Sequence, residues 1–304
     1  MHILITGGTG FIGKQLCLLL LAKKYEVSVL CRDIHRAKAI LPFQINCIQN
    51  ISDIKHILPI DTIINLAGHP IANMPWFSKT KQAIIESRVS LTQNLVKIFQ
   101  DLDPKPRVFI SGSAIGYYGM CADEKLTEEA PVGTGFAADL CKEWELAALT
   151  AQDQGIRTCC IRTGLVLGKA GGILKRMRLP YLLGLGGKMG TGHQWMSWIH
   201  MQDYLSILLF CLENTHIQGA VNATAPNPVT NLDFARSYAH ILKRPAFMTM
   251  PGWLLKLLLG QMAEELLLAG QRVIPQKLMD LHFSFKYPQI DLALQQIERQ
   301  SSSC

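Results

Sequence analysis

The chain has 304 residues, of which 49% are hydrophobic and 17% charged, and its formal net charge is +7. This length suits one large α/β unit or two small domains, and the composition is typical of a soluble enzyme with a sizeable core. The charge is mild and forms no basic stripe interleaved with aromatic residues, which argues against nucleic acid as a partner.

The cysteines and the apolar runs of the sequence indicate the cellular compartment. The nine cysteines include no Cys-x-x-Cys pair, and an odd number without a framework predicts a reducing cytoplasm. No spacing is typical of a metal site, so no metal is expected. The most apolar late stretch, residues 253–259, is too short to span a bilayer and contains Lys256, so we expect a buried or interfacial helix and no membrane partner.

Strand-like and helix-like segments alternate through the first half of the chain. The predicted strands are residues 3–5, 27–30, 45–48, 61–66, 107–111 and 157–162. The predicted helices are residues 11–22, 78–100 and 135–154. This alternation indicates an α/β fold with a Rossmann-type doubly wound parallel sheet, in which right-handed crossovers bring the strand ends to one crevice.

The second half of the chain is less regular. A glycine-dense loop at residues 184–192 precedes a predicted strand at 195–200, a helix at 201–212 and a short strand at 219–223. We expect residues 1–168 to form the Rossmann domain and residues 197–223 to return to it. Residues 169–196 and 224–300 are then a smaller C-terminal α+β substrate region. The serines at 301–303 are expected to be disordered.

A glycine-rich turn follows the first strand directly. Glycines spaced as Gly-x-x-Gly-x-x-Gly let the backbone approach a pyrophosphate closely, and the N–H groups of the following helix face its negative charge. A tight turn without a ligand is the alternative, because the pattern alone is weak. The predicted cofactor-binding residues of this turn are Gly7, Thr9, Gly10, Phe11, Ile12 and Gly13.

The end of the second predicted strand distinguishes the two nicotinamide cofactors. An acidic residue there binds both ribose hydroxyls of NAD, whereas the planar fork of an arginine suits the 2′-phosphate of NADP. Arg32 occupies the earlier position and favours NADP(H), while Asp33 either favours NAD or caps the next helix. After the fourth strand, Ala67 and Gly68 are small enough for a cofactor to pass close to the backbone, or form only a tight turn.

Several motifs together resemble the extended short-chain dehydrogenases/reductases. Three carry the general resemblance: residues 7–13, 65–68 and 110–119. More narrowly, the chain resembles the atypical nucleoside-diphosphate-sugar epimerase-like family, some members of which carry the older label "cell division inhibitor-like". That match rests on residues 65–71, 86–89, 162–168, 184–187 and 197–203. Residues 251–297 resemble that family's closing domain of unknown function.

The resemblance implies a catalytic serine followed by Tyr-x-x-x-Lys on a helix. Ser113 matches the serine and Lys142 matches the lysine, but Ala138 stands where the tyrosine belongs. A second register, set by Glu145, places Cys141 at the lysine position and Ala137 at the tyrosine position. The tyrosine is missing in both registers. Further cofactor contacts implied by the resemblance come from Ser111, Lys142, Gly164, Leu165 and Val166.

Other side chains are candidates for the missing chemistry. Tyr117 lies just after Ser113 and is a candidate proton donor, with a wall aromatic as the alternative. Arg88 and Lys188 are candidates to hold an anionic substrate group, and His200 titrates near neutral pH if it is not simply structural. His69 and Pro75 depart from the family pattern. This departure predicts that the substrate differs from that of close relatives.

The expected function is an NADP(H)-dependent oxidoreductase or sugar-nucleotide epimerase-like enzyme without the usual tyrosine. Its substrate is expected to be a small-molecule carbonyl or sugar-nucleotide-like compound, and the protein a cytoplasmic monomer or homodimer. One alternative is a catalytically inert NADP(H)-sensing protein. Another is a protein-interaction role near cell division, suggested by the older family label and the apolar residues 253–259.

Overall fold

The computed structural model describes residues 1–57 and 59–299, so the serines predicted to be disordered at 301–303 lie outside the described residues. The strands are β1 (His2–Thr6), β2 (Glu26–Leu30), β3 (Asn46–Ile48), β4 (Thr62–Asn65), β5 (Val108–Ala114), β6 (Lys125–Leu126), β7 (Arg157–Thr163), β8 (Leu165–Leu167), β9 (Gly187–Met189), β10 (Trp195–Met196), β11 (Trp198–His200), β12 (Gly219–Ala223), β13 (Val229–Thr230), β14 (Met248–Met250) and β15 (Arg272–Val273).

Helices connect most of these strands. They are α1 (Phe11–Ala22), α2 (Ile34–Ile40), α3 (Ser78–Ile85), α4 (Leu91–Phe99), α5 (Phe136–Leu149), α6 (Gly172–Leu182), α7 (Met201–Glu213), α8 (Asn231–Leu242), α9 (Gly252–Leu259), α10 (Gln261–Ala263), α11 (Gln276–Asp280) and α12 (Ile290–Arg299). Single 3-10 turns lie at Ile51–His56, Ile115–Tyr118 and Thr150–Gln154, and π-helical turns at Glu86–Ser90 and Glu264–Leu268.

The central sheet has seven parallel strands in the order β12-β7-β5-β4-β1-β2-β3. The strand order reverses beside β1, whose Ile3 is paired with Val27 of β2 on one side and Thr62 of β4 on the other. In open α/β sheets, ligands bind at the carboxyl ends of the strands where the order reverses. The predicted Rossmann-type architecture is confirmed.

Both faces of the sheet are covered because its strands are apolar on both sides. Ile3 and Ile5 of β1 are buried in a core that includes Leu16 and Leu20 of α1. Leu4, which points the other way, is buried in a second core with residues of α4. Successive strand residues point to opposite faces, so this continuous apolar run is typical of a strand buried between two helical layers.

Two predicted elements are interrupted in the structure. The helix predicted at residues 78–100 contains the π-helical turn Glu86–Ser90 between α3 and α4. The strand predicted at 195–200 is split at Ser197 into β10 and β11, which pair with β13 and β8. The hydroxyl of Ser197 donates to the carbonyl of Gln271 at 2.6 Å and accepts from the N–H of Val273 at 2.9 Å. These bonds tie the break to the C-terminal segment.

Later parts of the chain return to earlier ones. β12 joins the central sheet beside β7, β15 pairs with β6, and β14 pairs with β9, each in parallel. Within residues 1–57 and 59–299, no helix has both the length and the apolar character needed to cross a membrane. α9, formed by the apolar run noted in the sequence, buries Leu255 and leaves Trp253, Leu257 and Leu258 exposed.

Candidate active site

A cavity of about 550 Å³ lies at the carboxyl ends of the central strands. Gly7 after β1, Gly68 after β4, Ser113 of β5 and Gly164 after β7 all line it. Further lining side chains come from later in the chain: Met189, Gln194, Trp195, Met196, Glu265 and Leu266. The cavity therefore joins the strand ends to residues of the C-terminal part.

The glycine-rich turn forms one part of this cavity. Gly7 has a φ of +71°, and its carbonyl accepts the N–H of Gly10 at 2.9 Å. A Cβ on Gly13 would collide with that carbonyl, so only glycine fits there. Gly10 supplies no side-chain cap to α1, and the first turn of α1 has no acidic residue. The first N–H groups of α1 thus remain available to a negatively charged ligand.

Most of the predicted turn residues face the cavity. Phe11, Ile12 and Leu165 line it, whereas Thr9 is half-buried in the turn outside the lining. Two other predicted cofactor residues, Ser111 and Val166, are buried beside the cavity without lining it.

The side chains at the end of β2 have separate surroundings. The carboxylate of Asp33 accepts the N–H of Arg36 at 2.9 Å and thereby caps α2. Arg32 is exposed, and its carbonyl accepts from the side-chain amide of Gln49 at 3.2 Å. Asp33 thus has the role of a helix cap, and the exposed Arg32 lies beside it at the end of β2.

The turn after β4 is held by buried hydrogen bonds. The Thr6 hydroxyl donates to Asn65 Oδ1 at 2.6 Å and accepts the N–H of Ala67 at 3.2 Å. Asn65 Nδ2 in turn donates to Thr92 Oγ1 at 2.8 Å. These bonds fix the half-buried Ala67 and bring Gly68 to the cavity wall.

Ser113 is joined to a buried ion pair. Its hydroxyl donates to Glu145 Oε1 at 2.6 Å, and the Glu145 carboxylate receives two hydrogen bonds from Arg162, at 2.8 and 2.9 Å. Burial by itself lowers the pKa of Arg162, but the hydrogen bonds to Glu145 outweigh that effect and hold this pKa above its ordinary value. Because the Ser113 proton is directed to Glu145, the lone pairs of Ser113 are left for a ligand in the cavity.

Two tyrosines pack against the same arginine. The Tyr118 hydroxyl accepts from Arg162 Nη1 at 2.9 Å and donates to Asn222 Oδ1 at 2.6 Å, and burial raises its pKa to about 12. The ring centroid of Tyr117 lies 3.5 Å from the Arg162 guanidinium carbon. Tyr117 does not line the cavity, so its surroundings are those of a wall aromatic.

Helix α5 presents the residues of the two candidate registers on different faces. Ala137, Cys141 and Trp144 line the cavity at helical spacing, whereas Lys142 is exposed on another face of the helix. The structure therefore does not bring Lys142 together with Ser113, because one residue of helical rotation turns it away. Burial raises the pKa of the Cys141 thiol to about 12, so this position has no charge at neutral pH.

Arg88 is the cationic side chain that the structure brings to the cavity. It lies in the π-helical turn Glu86–Ser90, and its guanidinium donates to the carbonyl of His69 at 3.0 Å. Burial lowers its pKa to about 10, which leaves it charged at neutral pH. A Cβ on Gly68 would lie 2.9 Å from this guanidinium, so the glycine makes room for it.

The other two predicted substrate residues lie outside the cavity. His200 is buried, accepts the N–H of Gln202 at 3.1 Å, and contacts Gln296 Oε1 at 2.9 Å. Burial lowers its pKa to about 4, as expected for a structural histidine. Lys188 donates to the carbonyl of Thr191 at 3.3 Å. Within residues 1–57 and 59–299, no three potential metal ligands are grouped.

Two cavity residues had no signal in the sequence. Glu265 accepts the N–H groups of Phe136 and Ala137, at 3.1 and 2.9 Å, and so caps α5 from the C-terminal part of the chain. Tyr204 of α7 lies with its hydroxyl 3.0 Å from Thr163 Oγ1, and burial raises its pKa to about 12. Glu265 lies in the π-helical turn Glu264–Leu268 and Tyr204 in α7, and only the fold places them at the strand ends.

Comparison with known proteins agrees with this geometry. The model of the NAD dependent epimerase/dehydratase family matches residues 3–223. The chain belongs to this family. A second model, the domain of unknown function DUF1731, matches residues 250–297. The resemblance inferred from the sequence motifs, including that of the closing segment, is confirmed.

Members of this epimerase family from distant organisms match over almost the whole chain. The chloroplastic SDR39U1 homologue of Arabidopsis thaliana is 36% identical over 303 residues, which cover 98% of this chain and 86% of the plant protein. The epimerase family protein YfhF of Bacillus subtilis is 35% identical over 299 residues, which cover 98% of each chain.

Solved structures share the fold of this family member. The human epimerase family protein SDR39U1 (isoform 2), crystallised with NADPH, superposes with a TM-score of 0.89 at 32% identity and covers 98% of this chain and 99% of the human one. The UDP-glucuronic acid 4-epimerase of Bacillus cereus gives a TM-score of 0.80 at 19% identity, with 98% of each chain covered, and supports the fold alone.

Proposed function

We propose that this protein binds NADP(H) and acts as an oxidoreductase or epimerase at a hydroxyl-bearing or carbonyl carbon of a small, sugar-nucleotide-like molecule. The main observation in support of this function concerns Ser113. It is hydrogen-bonded to the buried Glu145 carboxylate and lines the same cavity as the glycine-rich turn. A cofactor cradle and a proton-accepting group at one strand edge are the two parts that such chemistry needs.

The residues of the cavity fit the proposed cofactor. The turn from Gly7 to Gly13 would hold the diphosphate, since a side chain at Gly13 has no room and the N-terminus of α1 has no side-chain cap. Arg32 would bind the 2′-phosphate, because Asp33 is engaged with α2. The NADPH in the human relative's structure supports this choice. When bound, the nicotinamide exchanges a hydride with the substrate carbon.

Ser113 and Glu145 would take over the proton transfer of the missing tyrosine. Ser113 accepts a hydrogen bond from the substrate hydroxyl, because its own proton already points to Glu145 Oε1. The substrate O–H proton then passes to Ser113 Oγ while the serine proton passes to Glu145, and the O–H electron pair stays on the substrate oxygen. In the opposite direction, Glu145 returns the proton through Ser113 to a carbonyl oxygen. Arg162 keeps the carboxylate in position throughout.

Arg88 would anchor a negatively charged group of the substrate. Its guanidinium lines the cavity, and within residues 1–57 and 59–299 it forms no ion pair with a carboxylate. A half-buried guanidinium with donors to spare suits a carboxylate or phosphate.

Turnover with a panel of carbonyl compounds and uridine diphosphate sugars tests this function. We expect Ser113→Ala and Glu145→Gln each to lower kcat by about 10²- to 10⁴-fold, the usual contribution of acid–base groups. NADPH affinity should stay unchanged, because neither residue belongs to the glycine-rich turn. Ser113→Thr should retain much of the activity, since it keeps the hydroxyl.

Tyr117→Phe is the matched control, because this ring packs on the Arg162 guanidinium outside the cavity. It should leave kcat within about twofold of the wild type, since no acid–base step is removed. If Tyr204→Phe abolishes turnover while Ser113→Ala does not, the proton transfer belongs to Tyr204 instead.

A second candidate function is cofactor sensing without chemistry. The observation that favours it is that Ala137 and Cys141, neither of them charged at neutral pH, line the cavity, and the second register gives them the positions of the usual tyrosine and lysine. Saturable NADPH binding, with no redox change of the bound cofactor against any compound of the panel, would establish the sensor and remove the enzyme.

A further inference from the structure

Helix α9 and the strands near it expose large apolar side chains that the proposed reaction does not use. These side chains are between 44% and 76% exposed. They are Leu179, Leu183, Leu185, Phe247, Met248, Met250, Trp253, Leu257 and Leu258. We call this set the α9 surface. Soluble proteins seldom leave so many large apolar side chains exposed in two short segments, and such surfaces commonly mark interaction sites.

The pairing of β9 and β14 brings the two segments of the α9 surface together. Met248 of β14 is in register with Gly187 of β9, and a Cβ on Gly184 would lie 3.6 Å from Pro245. The chain then enters α9, where Trp253 and Leu257 are four residues apart and so share one face. The segment that follows α6, strand β14 and the start of helix α9 are therefore neighbours on the surface.

The charged side chains of the segments that form the α9 surface are all positive. Residues 172–190 and 243–260 contain no aspartate or glutamate and seven basic residues: Lys175, Arg176, Arg178, Lys188, Lys243, Arg244 and Lys256. Arg178 is paired with Glu298 at 3.1 Å and Lys256 with Glu264 at 2.9 Å. The exposed Lys243 and Arg244 are separated by two residues from the exposed Phe247 and Met248, so positive charge borders the apolar part of the surface.

Although no membrane partner is expected from the sequence, we propose that the α9 surface docks on an anionic lipid bilayer. Leucine, methionine and aromatic side chains bury in the interface of a bilayer, while lysines and arginines beside them pair with anionic headgroups. The tryptophan of α9 suits the boundary between headgroups and acyl chains. Because none of the helices described for residues 1–57 and 59–299 can cross a membrane, the attachment is peripheral.

A second copy of the chain fits this surface less well. A two-fold interface would bring the same basic patch of both copies together, and the accumulated positive charge would oppose association. An anionic bilayer offers the opposite charge and an apolar layer together. Met189, which belongs to the same strand as Lys188, lines the cavity, so the docked surface borders the candidate active site.

Sedimentation of the full-length protein with lipid vesicles tests the proposal. We expect binding to vesicles of phosphatidylcholine with 30% phosphatidylglycerol and at least about tenfold weaker binding to phosphatidylcholine alone. Binding to the anionic vesicles should weaken when the salt concentration is raised, because headgroup attraction is screened.

Two double variants separate the apolar and the charged contributions. Lys243→Gln with Arg244→Gln should weaken binding by about thirtyfold, from about 1 kcal/mol for each charge. Trp253→Ser with Leu257→Ser should weaken it by about tenfold or more, because apolar burial is lost. Phe43→Ser is the matched control, because Phe43 is 93% exposed and lies outside the α9 surface.

These variants change exposed side chains, and an unchanged NADPH titration and melting temperature would verify their fold. Equal binding to neutral and anionic vesicles overturns the proposal, and so does wild-type binding by both double variants. A dimer in light scattering that Trp253→Ser with Leu257→Ser converts to monomer would assign the surface to a second copy instead.

Discussion

His200 illustrates how burial determines the chemistry of a single residue. The sequence presents it as a titratable group close to a strand end, yet its ring is buried, contacts Gln296 and lies tilted against Tyr287 with ring centroids 4.1 Å apart. Burial disfavours the charged form and lowers the pKa of His200 from 6.5 to about 4. The unfolded chain therefore binds a proton at mildly acidic pH that the folded protein does not.

This difference predicts an acid sensitivity. Since the folded pKa is lowered, the contribution of His200 to stability is intact above pH 6.5 and is lost as the pH falls towards about 4. Between pH 7 and pH 5, we expect the wild type to lose about 2 kcal/mol more free energy of unfolding than His200→Asn. Urea unfolding at both pH values measures this, and equal losses in the two proteins would contradict it.

Residue identities predicted the candidate site only where a motif fixed the position. Ser113 was predicted from its motif and lines the cavity. Glu145 served in the sequence only as a register marker, because its bond to Ser113 spans 32 positions of the chain. Lys142 has the right side chain, but the rotation of α5 places it in solvent. The partners of a side chain depend on helix rotation, which residue type does not specify.

At the scale of elements, the π-helical turn Glu86–Ser90 is the feature that periodicity missed. The apolar spacing of residues 78–100 predicts one continuous helix, whereas the structure has a π-helical turn between α3 and α4. A π-helical turn holds one more residue than an α-helical turn. The extra residue turns the guanidinium of Arg88 into the cavity beside Gly68. Turns of this type are frequent at functional sites, which agrees with the proposed role of Arg88.

Helix α5 begins with a cap from a distant part of the chain, and this contact is testable. Removing the Glu265 carboxylate leaves the N–H groups of Phe136 and Ala137 without their partner. We expect Glu265→Ala to lower the free energy of unfolding by about 2 kcal/mol. Glu264→Ala is the matched control, because its exposed ion pair with Lys256 contributes less than about 1 kcal/mol. Similar losses in the two variants would contradict the cap.

For the whole molecule, the sheet was predictable and the later strand pairs were not. Strands that alternate with helices in the first half of the chain predict a parallel sheet, because each parallel connection needs a crossover helix. The pairs β6 with β15 and β9 with β14 join strands of two or three residues that lie far apart in sequence. Such short segments have too few residues for a periodic pattern, so only the complete fold brings them together.

Cofactor binding should stabilise the whole molecule. NADPH at about 100 times its Kd is expected to add about 2.7 kcal/mol to the free energy of unfolding. For 304 residues, at about 2.1 cal/mol/K of unfolding entropy per residue, that corresponds to a rise in melting temperature of about 4 °C. NADH at the same concentration should give a smaller rise. Arg32→Gln should remove this difference between the cofactors, whereas Lys97→Gln on the exposed side of α4 should preserve it. Equal rises with both cofactors in the wild type would contradict the role of Arg32.

The position of β12 at the edge of the central sheet has a consequence for truncated forms of the protein. β7 is covered on its outer edge by residues 219–223, which follow residues 169–196 in the chain and are therefore synthesised later. Any shorter product, such as a fragment cut at residue 168, carries that edge bare, and its free N–H and C=O groups can recruit strands from other molecules. A minimal cofactor-binding fragment made for expression should therefore retain residues 219–223.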